Sequence, residues 1–294
     1  MKSSRSNGLC LLALLATGAL AGSNAMAQTA ATKADNVAAM LPKALKDSGE
    51  LRIAVPDIGK PLAYKEGGSL KGMDVDLAEA VAATMGLKAN ISLIPFSAAL
   101  TGLQANKFDI SYGEFYVTKE RLQVADFVTN WQDYSTFLVK KGKAFQPKAL
   151  TDICGQKVGA MAGSAELATL KSAGAGCSGK PPIVSAFPSI NNAVLALNSS
   201  RVEGVLINRG GAQESIRLDT GLDASGEIGG GPTATAIARN ANAEQLLVAM
   251  KAAYDHLIQS GEYGKILDKN DTAYGAVTAA EMFKEGSTPP KYGF

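Results

Sequence analysis

Histidine is almost missing from this chain: His256 is the single one among 294 residues. Acid–base, nucleophilic and zinc chemistry that depends on imidazole loses its usual part with it. Cysteine is scarce as well, at three, too few for a thiolate metal cluster. Charge of one sign is not in excess, with 29 Lys plus Arg against 27 Asp plus Glu. Such a balance neither neutralises a nucleic-acid backbone nor holds an anionic membrane. These shortages set the expectation of a protein with no metal, no cofactor and no catalytic residue. What is there, 46% hydrophobic and 19% charged residues, is a folded composition with room for one or two cores.

The apolar run from Gly8 to Gly22 is too short to span a bilayer. Lys2 and Arg5 precede it and Ala25-Met26-Ala27 follows it, so residues 1–27 read as a secretory signal cleaved after Ala27. Cys10 leaves with that signal. Cys154 and Cys177 remain, an even pair in a chain bound for an oxidising compartment, and read as a disulfide. Closing a loop of that size contributes about 3 kcal/mol in the chain-entropy account. The alternative, a reactive thiol, wants a cationic and exposed setting.

Strand and helix patterns alternate along the chain. Glu50–Val55 alternates as a strand and stops at Pro56 and Gly59. Asp74 reads as an N-cap before a helix carrying Leu77, Val81 and Met85, with Gly86 as its stop. A strand at Ile91–Ile94, a helix capped by Ser97 and a strand from Phe108 follow. The rhythm restarts with strands at Lys157–Ala160, Ile183–Val184 and Val202–Ile207 around helices beginning at Ser164 and Ser189. Two extended stretches, Ser135–Lys140 and Thr233–Ile237 after a break at Gly229-Gly230-Gly231-Pro232, read as crossings between two α/β lobes. The expected division is 28–139 with 233–294 for lobe 1, and 140–232 for lobe 2. A closing helix spans Ala243–Ser260 and stops at Gly261.

Two tempting motifs fail on context. Gly174 to Gly179 matches G-x-G-x-x-G but follows a helix and runs into Pro181-Pro182, where a dinucleotide loop must follow a strand and open a helix. Asp74-Val75-Asp76 begins like a calcium loop, yet Leu77 and Ala78 stand where oxygens should continue. Thr118-Lys119-Glu120-Arg121 is more informative. Thr118 looks like an N-cap, and Arg121 falls in a first turn where a cation opposes the helix dipole. A guanidinium beside free backbone N–H groups and a threonine hydroxyl makes a fork for a carboxylate, although an exposed surface arginine explains the same letters. Ala162-Gly163-Ser164 is a second turn suited to an anion, or an ordinary capped helix.

The order of these segments resembles the family 3 bacterial extracellular solute-binding proteins, the amino-acid receptors of ABC importers. Gly72-Met73-Asp74-Val75-Asp76-Leu77 is similar to the family's G-F-D-x-D-L signature, and Phe108-Asp109-Ile110, Val117 to Arg121 and Asp126-Phe127 to its y-D-a, I-T-x-x-R and D-F-S block. Gly155 to Gly159, Gly163-Ser164 and Ser200 to Gly204 resemble the second-lobe pattern. The resemblance implies an α/β, bilobal, type II periplasmic-binding-protein fold with two crossing strands. It implies Arg121 as the group that binds a ligand carboxylate, helped by Thr118 and by N–H groups near Gly113 and Ser164, with Phe96 as an aromatic wall.

Two departures from the family pattern bear on the ligand. Asn208 stands where an aspartate commonly receives the ligand ammonium, and Glu114 where Gly or Ser is usual. A buried ammonium needs an anion, so the countercharge is expected to have moved to Glu114. Gly59 replaces a frequent aromatic, for which Tyr112, Tyr116 or Trp131 could compensate. The resulting expectation is a monomeric periplasmic receptor that delivers a small zwitterion, most simply a polar amino acid, to an ABC permease. Its alternatives are an enzyme on the same scaffold, similar to the cyclohexadienyl dehydratases with Glu114 as general acid, or a partner of a periplasmic dehydrogenase system.

Overall fold

A computed structural model describes residues 31–294. The expected signal segment, with Cys10, lies outside the described residues. Helices α1 (Asp35–Met40) and α2 (Lys43–Ser48) lead into strand β1 (Glu50–Pro56), the short hairpin β2 (Tyr64–Glu66) and β3 (Ser69–Lys71), and helix α3 (Met73–Thr84). Strand β4 (Lys88–Ile94), helix α4 (Ala99–Gln104), strand β5 (Ile110–Tyr116) and the long strand β6 (Ala125–Lys140) follow. The next unit is β7 (Lys157–Met161), α5 (Ala165–Ala173), β8 (Ile183–Phe187), α6 (Ile190–Asn198), β9 (Gly204–Asn208) and α7 (Arg209–Leu218). The return strand β10 (Leu222–Ala238), helices α8 (Ala243–Ser260) and α9 (Glu262–Lys269), and strand β11 (Met282–Phe283) complete the chain.

One curled sheet runs through the molecule in the order β4-β1-β5-β10-β6-β9-β7-β8, with β11 paired to β6. Its outer parts are parallel, β1 with β4 and β5 on one side and β7 with β8 and β9 on the other. The long antiparallel pair β6 and β10 joins them. Each long strand changes core along its length. Phe127, Val128 and Trp131 of β6 belong to the large core beneath α3 and α8, whereas Phe137 and Leu138 belong to two smaller cores on either face of the β7–β9 unit. This is the two-lobed arrangement expected of a type II binding protein.

Several local expectations are corrected. Gly229 to Pro232 does not break β10; the strand runs through it with register shifts between Ser225 and Glu227 and between Glu227 and Gly230. Bulges absorb the extra residues there. Asp74 does not cap α3. Gly72 does, at φ 113°, because a Cβ at that position would lie 2.3 Å from the carbonyl oxygen of Leu62. Asp74 is thereby the second residue of the helix, and it is fully buried. Ser97 sits inside a 3-10 turn, Phe96–Ala98, that Pro95 opens, and it caps no helix. Thr118 precedes not a helix but a single 3-10 turn, Arg121–Gln123, since β6 begins at Ala125 and leaves room for no more. Ser164 and Ser189 do cap α5 and α6, accepting from Leu167 and Asn192 N–H groups, and Gly261 closes α8 in the left-handed conformation.

Cys154 and Cys177 form a disulfide, with sulfurs 2.04 Å apart. Beyond β11 the tail returns to the crossing strands. The carbonyl of Tyr292 accepts from the Gly230 N–H at 2.7 Å, and its ring meets that of Tyr116 at 4.6 Å.

Candidate functional site

A cavity lies between the halves of the sheet, a cleft position where small-molecule sites form. Phe96, Gly113, Glu114, Tyr116 and Arg121 line it from the first half, and Met161, Ser164, Glu166, Ile190 and Asn208 from the second. Of the residues expected at the site from the sequence, Phe96, Gly113, Glu114, Tyr116, Arg121, Ser164 and Asn208 line this cavity; Thr118 does not, and its hydroxyl instead accepts the Arg121 backbone N–H at 3.2 Å and so shapes the turn.

Arg121 reaches across the gap. Its Nη1 donates to the Tyr116 carbonyl at 2.8 Å and its Nη2 to the Gly163 carbonyl at 3.1 Å. The guanidinium stands 5.3 Å above the Phe115 ring and 6.0 Å above that of Phe96. Among the described residues it makes no ion pair with a carboxylate. Burial lowers its pKa from the ordinary arginine value, and the charge of Glu166 opposes that shift. A cation with neutral carbonyl partners and spare N–H groups suits an incoming anion.

Glu114 is aimed by a distorted strand. Between Ser111 and Phe115, β5 spends three residues against the single Thr235 of β10. Gly113 takes φ 128° and Glu114 φ 54°. A non-glycine residue held there costs of order 1 kcal/mol, strain that the surroundings must offset. The bulge points Glu114 toward the cavity, where Thr233 Oγ1 donates to its Oε2 and Asn130 Nδ2 to its Oε1. Burial raises its pKa.

Asp133 is the group that the sequence reading missed. It is 1% exposed, lines the cavity from β6, and accepts from the Tyr134 N–H at 2.8 Å and from Asn208 Nδ2 at 3.2 Å. Burial pushes its carboxyl up to about 8, against those two hydrogen bonds. The available signal was a charged residue inside the buried strand Ala125–Lys140, between Trp131 and Phe137. Glu166 was missed too; its Oε1 accepts from Ser135 Oγ at 2.9 Å.

The other aromatic candidates separate cleanly. Tyr116 lines the cavity and donates to the Asp133 carbonyl at 3.2 Å. Tyr112 is buried against the Tyr254 hydroxyl, and Trp131 donates to the Thr272 carbonyl from within the core, so neither reaches the cavity. The place vacated at Gly59 is flanked instead by the apolar Ile58 and Leu62. The Ser164 N–H, expected to face a ligand, is taken by the Met161 carbonyl at 3.2 Å.

Residues 51–271 match the model of the bacterial extracellular solute-binding proteins, family 3. The chain belongs to that family. It is 32% identical over 127 residues to the probable amino-acid-binding protein YxeM of Bacillus subtilis, covering 43% of this chain and 48% of that one. The chain thus spans about half the length of the first curated relatives it matches. Over a longer stretch, 241 residues, it is 27% identical to the arginine-binding protein ArgT of Corynebacterium glutamicum, covering 79% and 77% of the two chains. An ancestral arginine-binding protein solved with arginine superposes with a TM-score of 0.70 at 28% identity, over 76% of this chain and 98% of that one. The family 3 member described here therefore shares its two-lobed fold with amino-acid-binding proteins. No helix among its described residues is long and apolar enough to cross a membrane.

Proposed function

We propose that the protein is a periplasmic receptor that captures a small zwitterion, most simply an amino acid, between two lobes and delivers it to an ABC permease. Residues 1–27 act as its secretory signal. Lobe 1 comprises 28–139 and 233–294, lobe 2 comprises 140–232, and the lobes close about the β6–β10 crossing.

One observation carries the reading. The unpaired guanidinium of Arg121 and the carboxyls of Glu114 and Asp133 line one cavity. A ligand bearing a carboxylate and an ammonium satisfies both signs at once. Arg121 receives the carboxylate, with the Thr118 hydroxyl holding its turn. Glu114 receives the ammonium, and Asn208 orients Asp133 as a second acceptor. Phe96 and Tyr116 wall the site, while Gly113 lets the backbone approach closely. Closure is favoured because a ligand touching both lobes binds the closed state better than the open one.

Calorimetric titration with the twenty amino acids tests this, beginning with arginine, the ligand named for ArgT and for the ancestral protein. Saturable binding is expected, with a loss of at least about tenfold in Arg121→Ala. Binding of equal strength in that variant would refute the assignment. Turnover of prephenate or arogenate would favour the enzyme alternative instead.

A further inference from the structure

Asp74 carries the most poorly accounted polar group among the described residues. It is 0% exposed in the first turn of α3, and neither of its carboxyl oxygens meets an N–H or O–H donor. What it does meet is the carboxyl of Glu114. Two ionised carboxylates in contact and away from water repel strongly, and such a pair settles by sharing one proton.

The surroundings decide which partner keeps that proton. Glu114 accepts from Thr233 Oγ1 and Asn130 Nδ2, whereas Asp74 accepts from nothing. Hydrogen bonds to a carboxylate favour its charged form. The negative charge therefore belongs on Glu114 and the proton on Asp74. The groups around the pair are neutral or acidic. Tyr112 of β5 and Tyr254 of α8 bond to each other at 2.8 Å, Thr235 of β10 lies 2.7 Å from the Tyr254 hydroxyl, and Tyr263 of α9, Tyr274 and Asp133 also face the charge of Glu114. No basic side chain is among the groups that shift either carboxyl. Burial and the neighbouring carboxyl both push the Asp74 acid well above the usual carboxylate range.

We propose that Asp74 is a positioning residue, a buried neutral acid whose O–H donates to Glu114 and so holds a single oriented negative charge at the cavity wall. This rests on the reading of Glu114 as the countercharge for a ligand ammonium. It gives Glu114 three donors, from Asp74, Asn130 and Thr233, of the about four that a carboxylate can accept, and leaves one acceptor position for the ligand. It also accounts for a buried aspartate at a position where a helix cap was expected.

The test uses the whole mature chain with Asp74→Asn, which keeps a neutral donor, and Asp74→Ala, which removes it. Infrared difference spectroscopy at neutral pH, without ligand, is expected to show a protonated-carboxyl band that Asp74→Asn removes, distinct from the band of the raised Asp133 acid that Asp133→Asn removes. A spectrum unchanged by Asp74→Asn would overturn the proposal. With L-arginine as the probe, Asp74→Asn should bind within about threefold of wild type and Asp74→Ala should lose about tenfold or more. Equal affinity in all three, or equal loss in both variants with circular dichroism unchanged, would overturn the positioning role. If wild type binds no amino acid, the functional reading fails by itself, and the infrared band still shows where the proton resides.

Discussion

The side-chain amide of Asn208 donates to the carboxylate of Asp133 at 3.2 Å. Asn208 pairs with Ser135 in the β6–β9 ladder, so Asp133, two residues along β6, falls on the same face of the sheet. The amide and the acid together restore a carboxylate to a place where the chain's own ninth strand ends without one. Two carboxyl groups, Asp133 and Glu114, thus approach one cavity from β6 and β5, the strands on either side of β10.

The raised pKa of Asp133 makes stability depend on pH in a definite sense. Its folded value of about 8 lies above the ordinary aspartate value of 3.8. A raised acid binds its proton more tightly when folded, so its contribution is complete below the unfolded value and declines as pH rises toward the folded one. Asp133→Asn removes that decline. Urea unfolding at about pH 4 and about pH 8 should show the variant gaining on wild type as pH rises, by more than about 1 kcal/mol across the range. A constant difference between the two proteins would contradict the burial argument.

Glu114→Gln keeps the shape of the side chain and removes its charge. Dissociation constants for the best-bound amino acid are expected to rise by at least about tenfold, since an ammonium then lacks its nearest anion. If the variant binds as tightly as wild type, the countercharge is Asp133 alone.

Cysteine pairing supports the lobe that contains β7 and β8. Replacing both Cys154 and Cys177 by serine frees a loop of 23 residues in the unfolded chain, and equilibrium denaturation should register a loss of about 3 kcal/mol.

Tyr292 ties the tail to the chain ahead of Arg121. Its hydroxyl accepts the Val117 N–H at 2.7 Å, one residue before Thr118, while its carbonyl takes the Gly230 N–H. Tyr292→Phe leaves the Val117 donor unpaired, at a cost of about 1 to 3 kcal/mol if water does not reach it. Amide exchange at Val117 should accelerate in the variant. Unchanged exchange would show that the tail does not secure the Arg121 turn.

Much of the fold is written in local patterns. Helix α8 spans Ala243–Ser260 as its spacing requires, Ser164 and Ser189 cap as their positions suggest, and Gly261 stops its helix. These features depend on neighbours a few residues apart, which a sequence displays directly. Arg121 stood out for the same reason, as a cation where the local helix signals disfavour one.

What stayed hidden depends on partners far along the chain. Asp74 looked like a cap because only the close approach of Leu62 to Gly72 shifts the helix start. The aim of Glu114 comes from a bulge that exists only when β5 pairs with β10. By itself the amino-acid sequence determined the alternating α/β elements, the family and several of the residues that line the cavity. Tertiary structure alone decided which carboxyls share the cavity with Arg121, because strand register and burial, properties of pairs far apart in the chain, set where a charge points and whether it keeps its proton.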